Sequence, residues 1–205
     1  MQSHSKIQGY SALFSAILSL MVTGCQKPAA STANQATVIT PVSIVVGEKP
    51  SDEQQRAMLA AKDALFTTLS SRLMEAMQQQ GPVGAIAVCQ QEAPQMAADV
   101  GNSHGLKIGR TGVRLRNSSN QPPSWAKSLT ESRVDTPQFV KLSSGAAAGL
   151  LPIKLQGQCL MCHGPQEQIA PAVQDQLAKI YPDDRATGFH EGELRGWFWI
   201  EMPAD

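Results

Sequence analysis

Cys159-Leu160-Met161-Cys162-His163-Gly164 sits late in a chain of 205 residues, with 42 residues following His163, and both its content and its place constrain the fold. Two thiols at this spacing can each form a thioether to one haem vinyl group. The histidine directly after the second cysteine is then held beneath the iron as its proximal ligand. The pattern Cys-x-x-Cys-His therefore reads as a c-type attachment site for one covalent haem c, with Cys159 and Cys162 as thioether residues and His163 on the iron. Two other chemistries use similar spacing. A structural zinc site wants four protein ligands, and the motif offers three. The fourth would be Cys89, His104 or His190, without a second Cys-x-x-Cys pair. A thioredoxin-like dithiol belongs after the first strand of a βαβ unit, whereas this motif follows a Gly-rich loop near the C-terminus.

The late position also excludes the commonest architecture for such a site. Small all-helical cytochromes c carry the motif near the start and recruit a methionine from downstream. Here the only later methionine is Met202, and Met161 lies inside the attachment loop. A sixth iron ligand must therefore come from upstream.

Upstream, the pattern is mixed. Ser51-Asp52-Glu53-Gln54 matches a capping box, with acidic residues suited to a helix N-terminus. Met58, Ala61, Leu65, Leu69, Leu73 and Met77 recur every three or four residues, which predicts a long amphipathic helix stopped by Gly81-Pro82. That Met and Leu stripe reads as core packing rather than haem ligation. Val83 to Cys89 reads as a short buried strand, and Glu92 to Val100 as a second helix. β-leaning segments lie around Leu106 to Arg116 and Gln138 to Leu142. Pro123 to Glu131 reads as a helical turn carrying Trp125, Pro171 to Ile180 as a short helix, and Leu194 to Met202 as a terminal strand. Helices and strands alternate without a βαβ rhythm, so the expected class is α+β around an antiparallel sheet.

The N-terminus reads as an export signal. Lys6 precedes an apolar run from Tyr10 to Met21, too short to span a membrane, and Val22-Thr23-Gly24-Cys25 looks like a bacterial lipobox. The expected organisation is a lipoprotein signal peptide over 1–24, a lipidated tether over 25–50 anchored through Cys25, and a haem domain over 51–205. An ordinary secretory signal is the alternative. Val42 to Val46 within the tether could add an edge strand. Either signal places the protein beyond the cytoplasmic membrane, on the periplasmic side, with the outer membrane favoured because Gln26 is not an aspartate. Lys plus Arg and Asp plus Glu are 17 each, giving zero formal net charge. That balance argues against nucleic acid and leaves membrane contact to the lipid anchor.

Of four cysteines, Cys25 is assigned to lipid and two to thioethers, so Cys89 is left without a disulfide partner. A leftover thiol in an oxidising compartment invites pairing or damage unless it is buried or bound. On a strand from Val83, Cys89 would share a face with Ala85 and Ala87, small enough to admit a flat ring. Burial as a small apolar residue accounts for it equally well.

An ordered series of motifs bears on that choice. Ala85-Ile86-Ala87-Val88-Cys89-Gln90 is followed by Ala93-Pro94, Gly109-Arg110-Thr111, Arg116-Asn117 with Asn120 and Pro122, and Trp125. Then come the attachment motif, Tyr181-Pro182-x-Asp184-x-Ala186-Thr187-Gly188-Phe189 and Gly192-x-Leu194-Arg195-Gly196. From Ser51 to Ile200 the chain resembles the single-haem c-type family whose domain has a PAS-like fold. Its members stand alone or serve as sensory modules in cyanobacteria and proteobacteria. The resemblance implies a PAS-like α+β domain and an iron ligated by the motif histidine and a cysteine thiolate, the family position of that cysteine matching Cys89.

A thiolate donates charge, favours ferric iron and lowers the potential relative to a His/Met site. Such a ligand can leave on reduction or gas binding. The expected function is therefore a periplasmic, lipid-anchored haem protein that exchanges single electrons or senses redox state, with a redox or signalling partner. The alternatives are a sensor of nitric oxide or carbon monoxide and, behind it, a peroxidase-like enzyme. With six ligands on the iron no enzyme activity is expected. Arg110 and Arg116 are candidate contacts to a haem propionate, because Arg pairs bidentately with carboxylates; Arg114 reads as a surface charge. Tyr181 and Trp125 pack on the ring or fill core. His104, the second choice of sixth ligand, and His190 read as exposed.

Overall fold

The structure, a computed structural model, describes residues 41–204. The expected signal peptide, Cys25 and most of the tether lie outside the described residues. Strands β1 (Ile44–Val45), β2 (Lys107–Gly112), β3 (Gln138–Leu142), β4 (Ala147–Lys154) and β5 (Leu194–Met202) form one sheet in the order β1-β3-β4-β5-β2. Every neighbouring pair is antiparallel. Helix α1 (Asp52–Ala87) follows β1 and precedes the other four strands; after it come a π-turn (Val88–Glu92), α2 (Ala93–His104), and the short α3 (Lys127–Glu131), α4 (Leu160–His163) and α5 (Pro171–Ile180). This is the PAS-like α+β arrangement expected, an antiparallel sheet flanked by helices with a long helix at its start.

The capping box at Ser51 forms as read: Gln54 N–H donates to Ser51 Oγ at 3.2 Å, and Ser51 N–H donates to Gln54 Oε1 at 3.1 Å. Met58, Ala61 and Leu65, fully buried at helical spacing, then pack on one face of the sheet with Ile108, Leu151, Phe198 and Ile200. Gly149 lies under the Met58 sulfur, where a side chain on β4 would take up the space α1 occupies. The opposite face of the sheet is covered by Trp125 and Ala126, against Leu150 and Trp197. Trp125 donates from Nε1 to Glu201 Oε1 at 2.7 Å, so it is a core residue on the side of the sheet away from α1.

Two readings of the sequence are corrected. Val83 to Cys89 is helical, not a strand. Gly81, at φ 70° and ψ −177°, breaks the helix as Gly81-Pro82 suggested, but Pro82 then starts a second helical arm, a position where its missing N–H and fixed φ do no harm. A short apolar run cannot be assigned to strand or helix by periodicity alone, and the alanines favour the helix. Cys89 therefore does not alternate with Ala85 and Ala87 along a strand; it lies in the π-turn that follows. Strand β4 also went unread. Its Ala-Ala-Gly start and Pro152 argue against a central strand, yet it sits between β3 and β5. Pro152 is tolerated next to a register shift at Ile153/Lys154, where ladder pairing is already interrupted.

Helix α2 runs to His104 and stops at Gly105, in left-handed conformation at φ 65°, with Leu106 N–H donating to Gly101 O at 2.9 Å. His104 and His190 are exposed, as expected. The edge strand foreseen within Val42 to Val46 forms over Ile44–Val45 against β3.

Candidate haem site

Beyond Leu65, the stripe on α1 leaves the sheet and becomes the wall of a cleft. Phe66, Leu69, Leu73, Met74 and Met77 line it from α1, with Ile86, Val88 and Cys89 from the second arm and the π-turn. Arg110 and Gly112 face it from β2, Phe198 and Arg195 from β5, and Cys159, Met161, Cys162 and His163 from the attachment loop. The cleft has a volume of about 270 Å³ and opens to solvent at its mouth. Of the large apolar residues exposed on α1, Phe66 and Met74 are cleft residues, whereas Leu59 lies outside the cleft.

The attachment loop is held by the segment 184–189. Arg116, only 9% exposed, donates from Nε to Asp184 Oδ2 at 2.9 Å and from Nη2 to the carbonyls of Cys162 and Ala186. Asp184 Oδ1 in turn accepts from Ala186 N–H at 2.7 Å. Backbone bonds from Gly188 N–H to Gly164 O, 2.7 Å, and from Phe189 N–H to His163 O, 3.0 Å, complete the lacing. The buried carboxylate and guanidinium pair with one another, and Nη2 reaches two carbonyls, which helps a buried ion pair to hold its place.

That lacing orients His163. Its Nδ1 lies 2.7 Å from Ala186 O. A carbonyl can only accept, so Nδ1 carries the proton and Nε2 is left as the unprotonated, metal-binding nitrogen. Burial, reinforced by the Arg116 and Arg195 charges, holds the imidazole well below its ordinary pKa, which keeps Nε2 free of a proton. Phe189 meets the imidazole edge-on at 6.5 Å between centroids, and Arg114 stacks on the ring of Phe189 at 3.9 Å.

Cys159 and Cys162 are free thiols on the same wall. Burial pushes the Cys162 thiol upward in pKa, so it stays protonated. Cys89, also unpaired, enters the cleft from the π-turn. A π-turn inserts one residue into a helix and re-aims the side chains around it. The end of that turn is tied to α1 by Glu92, whose carboxylate accepts from Arg72 Nε at 2.6 Å and Nη2 at 2.9 Å. The structure thus brings Cys89, Cys159, Cys162, His163, Arg110 and Arg116 to one cleft, together with Tyr181. Burial raises the phenol of Tyr181 to about 12, so it remains a neutral donor.

The arginines differ in what occupies them. Arg116, read from sequence as a propionate contact, spends Nε and Nη2 on Asp184 and two carbonyls. Arg195, not singled out from sequence, lies across Gly112 and gives Nη1 to Arg114 O at 3.0 Å, leaving other donors toward the cleft. Burial, with repulsion from Arg116 and Arg110, lowers Arg195 to about 10. Gly112 and Gly196 pair across β2 and β5, and a side chain on either would collide with the Arg195 guanidinium or the Thr111 carbonyl. The Gly-x-x-Arg-Gly signal was present in the sequence, but only register shows that Gly112 on β2, opposite Gly196, clears the path of that arginine.

The donor set fits a c-type haem: two unpaired thiols, an imidazole with the correct free nitrogen, apolar walls, and cations at the rim. No curated protein matches the chain. One solved structure, that of the cyanobacterial heme-protein Tll0287, superposes with a TM-score of 0.57 at 18% identity, covering 75% of this chain and 97% of its own. Residues 34–203 match the family described as "Tll0287-like: Tll0287", which spans the cleft, its motif loop and both faces of the sheet. The chain belongs to the Tll0287-like family.

Proposed function

We propose that the cleft carries one covalent haem c, and that the protein works on the periplasmic side of a bacterial membrane, lipid-anchored through Cys25, in one-electron exchange or redox sensing. One observation carries this reading: His163 donates Nδ1–H to Ala186 O and so presents Nε2 to the cleft that Cys159 and Cys162 also line. Cys159 and Cys162 would form the thioethers and His163 Nε2 the proximal bond. When bound, the haem supplies a one-electron couple between ferric and ferrous iron.

The chain's own residues set the conditions for that couple. Phe66, Leu69, Leu73 and Phe198 exclude water. Arg195, with donors to spare at the rim, is the candidate partner for a propionate, beside Arg116, whose Nε and Nη2 are engaged at Asp184 and two carbonyls. Cys89 is the candidate sixth ligand, supported by its place in the cleft and its match to the family cysteine. Met74 and Met77 are the competing sulfurs on α1. The physiological partner would be another periplasmic redox or signalling protein.

The test is the absorption spectrum of the mature protein made with a c-type haem maturation system, oxidised and reduced. A low-spin ferric haem with a thiolate-to-iron charge-transfer band is expected. The far-red band of a methionine ligand would replace Cys89 by Met74 or Met77. Absence of haem would overturn the reading, and Cys159→Ala with Cys162→Ala should leave no haem on the denatured chain.

A gas-sensing reading is favoured by one feature: Cys89 sits on a helix irregularity anchored by a partly exposed ion pair, which lets a sulfur withdraw. Rapid binding of carbon monoxide or nitric oxide to the reduced protein would support it.

A further inference from the structure

A second, smaller pocket of about 200 Å³ lies beside the cleft, with Cys89 and Arg110 in the wall between them. It is built from Ala93, Pro94 and Ala97 of α2, Ile108 and Gly109 of β2, Trp199 of β5, and the loop 117–121. β2 is the edge strand of the sheet, so its outer backbone groups have no strand to pair with.

The four arginines near the cleft separate cleanly by partner. Arg116 holds Asp184, Arg195 holds Arg114 O, and Arg114 holds Thr187 O while stacking on Phe189. Arg110 has no hydrogen-bond acceptor and no carboxylate partner among the described residues. It is half-buried between the two spaces, and desolvation lowers its pKa. A guanidinium in that state lacks the anion that would offset its desolvation.

The pocket around it is made for one. Its other polar residues are Asn117, Ser119, Asn120 and Gln121, and it has no acidic residue in its lining. Asn117 already uses Oδ1 to accept from Ser119 N–H at 2.9 Å, which leaves its NH2 to donate. The Asn120 carboxamide and the Ser119 hydroxyl have no partner among the described residues. Asn117 and Asn120 also reach the rim of the larger cleft, so this donor cluster stands at the junction of the two spaces.

We infer that this pocket is a binding site for a small oxyanion, held by the Arg110 guanidinium and the Asn117 and Asn120 carboxamides on the side of Cys89 away from the attachment loop. The site stands on these residues and does not depend on the haem reading. Its size suits an inorganic oxyanion or a short carboxylate, and bidentate pairing with Arg110 would fix such a ligand in plane.

The test is calorimetric titration of the mature, haem-loaded protein with sulfate, a poor iron ligand, at constant ionic strength. Saturable binding of one sulfate is expected, weakened at least tenfold by Arg110→Gln and less by Asn120→Ala, with Lys179→Gln, on the exposed face of α5, keeping parental affinity. Circular dichroism checks that each variant is folded. Should Arg110→Gln not fold, Asn117→Ala with Asn120→Ala carries the same test. Lack of saturable binding, or equal binding by the variants, would overturn the proposal. So would binding confined to the haem-free Cys159→Ala/Cys162→Ala protein, because Arg110 would then belong to a haem propionate. Failure of the haem reading shows separately, as absence of covalent haem in the parent.

Discussion

The two walls of the cleft are built on opposite principles. The attachment wall is laced by polar bonds of long sequence separation: Arg116 to Asp184, His163 to Ala186, Gly164 and His163 to Gly188 and Phe189. The facing wall hangs on a helix with a break at Gly81 and a π-turn at Val88–Glu92, fastened by Arg72 and Glu92, whose side chains are 28% and 38% exposed. Breaking a buried ion pair by removing one partner costs several kcal/mol, whereas an exposed pair contributes little. The difference teaches that the histidine side is fixed in place while the cysteine side is built to be adjusted.

Breaking the rigid wall should have the largest effect. Arg116→Ala strands a buried carboxylate at Asp184 and should cost about 3–5 kcal/mol in urea unfolding. Adding Asp184→Asn should recover part of the loss, and an additive double variant would mean that the pair is not coupled. On the adjustable wall, Gly81→Ala should cost about 1–3 kcal/mol, because the φ and ψ at that position are essentially reserved for glycine. Open space surrounds a Cβ there, so the penalty is conformational rather than steric. A stability equal to the parent would show that the two arms of α1 can be joined without strain.

The rigid wall also carries a pH signature. His163 has a lower pKa folded than unfolded, burial being the first cause. In the haem-free Cys159→Ala/Cys162→Ala protein, the unfolded imidazole takes up a proton near pH 6.5 while the folded one does not. Stability from this group is therefore complete above about pH 6.5 and declines as the pH falls toward the folded pKa. Chemical denaturation between pH 7.5 and 5 measures it, and His163→Gln should flatten the profile.

Cys89→Ala sharpens the comparison without large loss of stability. Haem should stay attached, the spin state should change and the potential should rise as the thiolate charge is withdrawn. An unchanged spectrum would make Cys89 a packing residue. The smallest effect is expected from Arg72→Ala. The unfolding midpoint should hardly move, but carbon monoxide should bind the reduced protein faster if the Arg72–Glu92 pair restrains the π-turn.

How much of this was legible beforehand follows from the range of each signal. The capping box, the stripe on α1, α5 and β5 were readable because neighbours three or four apart, or alternating along a strand, carry the information. The second arm of α1 was misread because Val83 to Cys89 is apolar at every period. β4 was invisible because its Ala, Gly and Pro content is made acceptable only by Met58 above Gly149 and the register shift beside Pro152. The attachment triad was readable from spacing alone, since covalent chemistry needs those residues adjacent in the chain. The roles of the arginines were not.

By itself the sequence determined the attachment motif, the long capped helix, the α+β class and the family, all of which rest on contacts within a few residues or on ordered motifs. Only the tertiary structure decided that Arg116 locks the motif loop instead of reaching outward, that Arg195 crosses Gly112 into the cleft, and that Arg110 is left without a partner. The physical reason is that a side chain's charge is local, but the acceptor that holds it lies 68 residues away for Arg116 and 81 for Arg195, and no period or spacing encodes that choice.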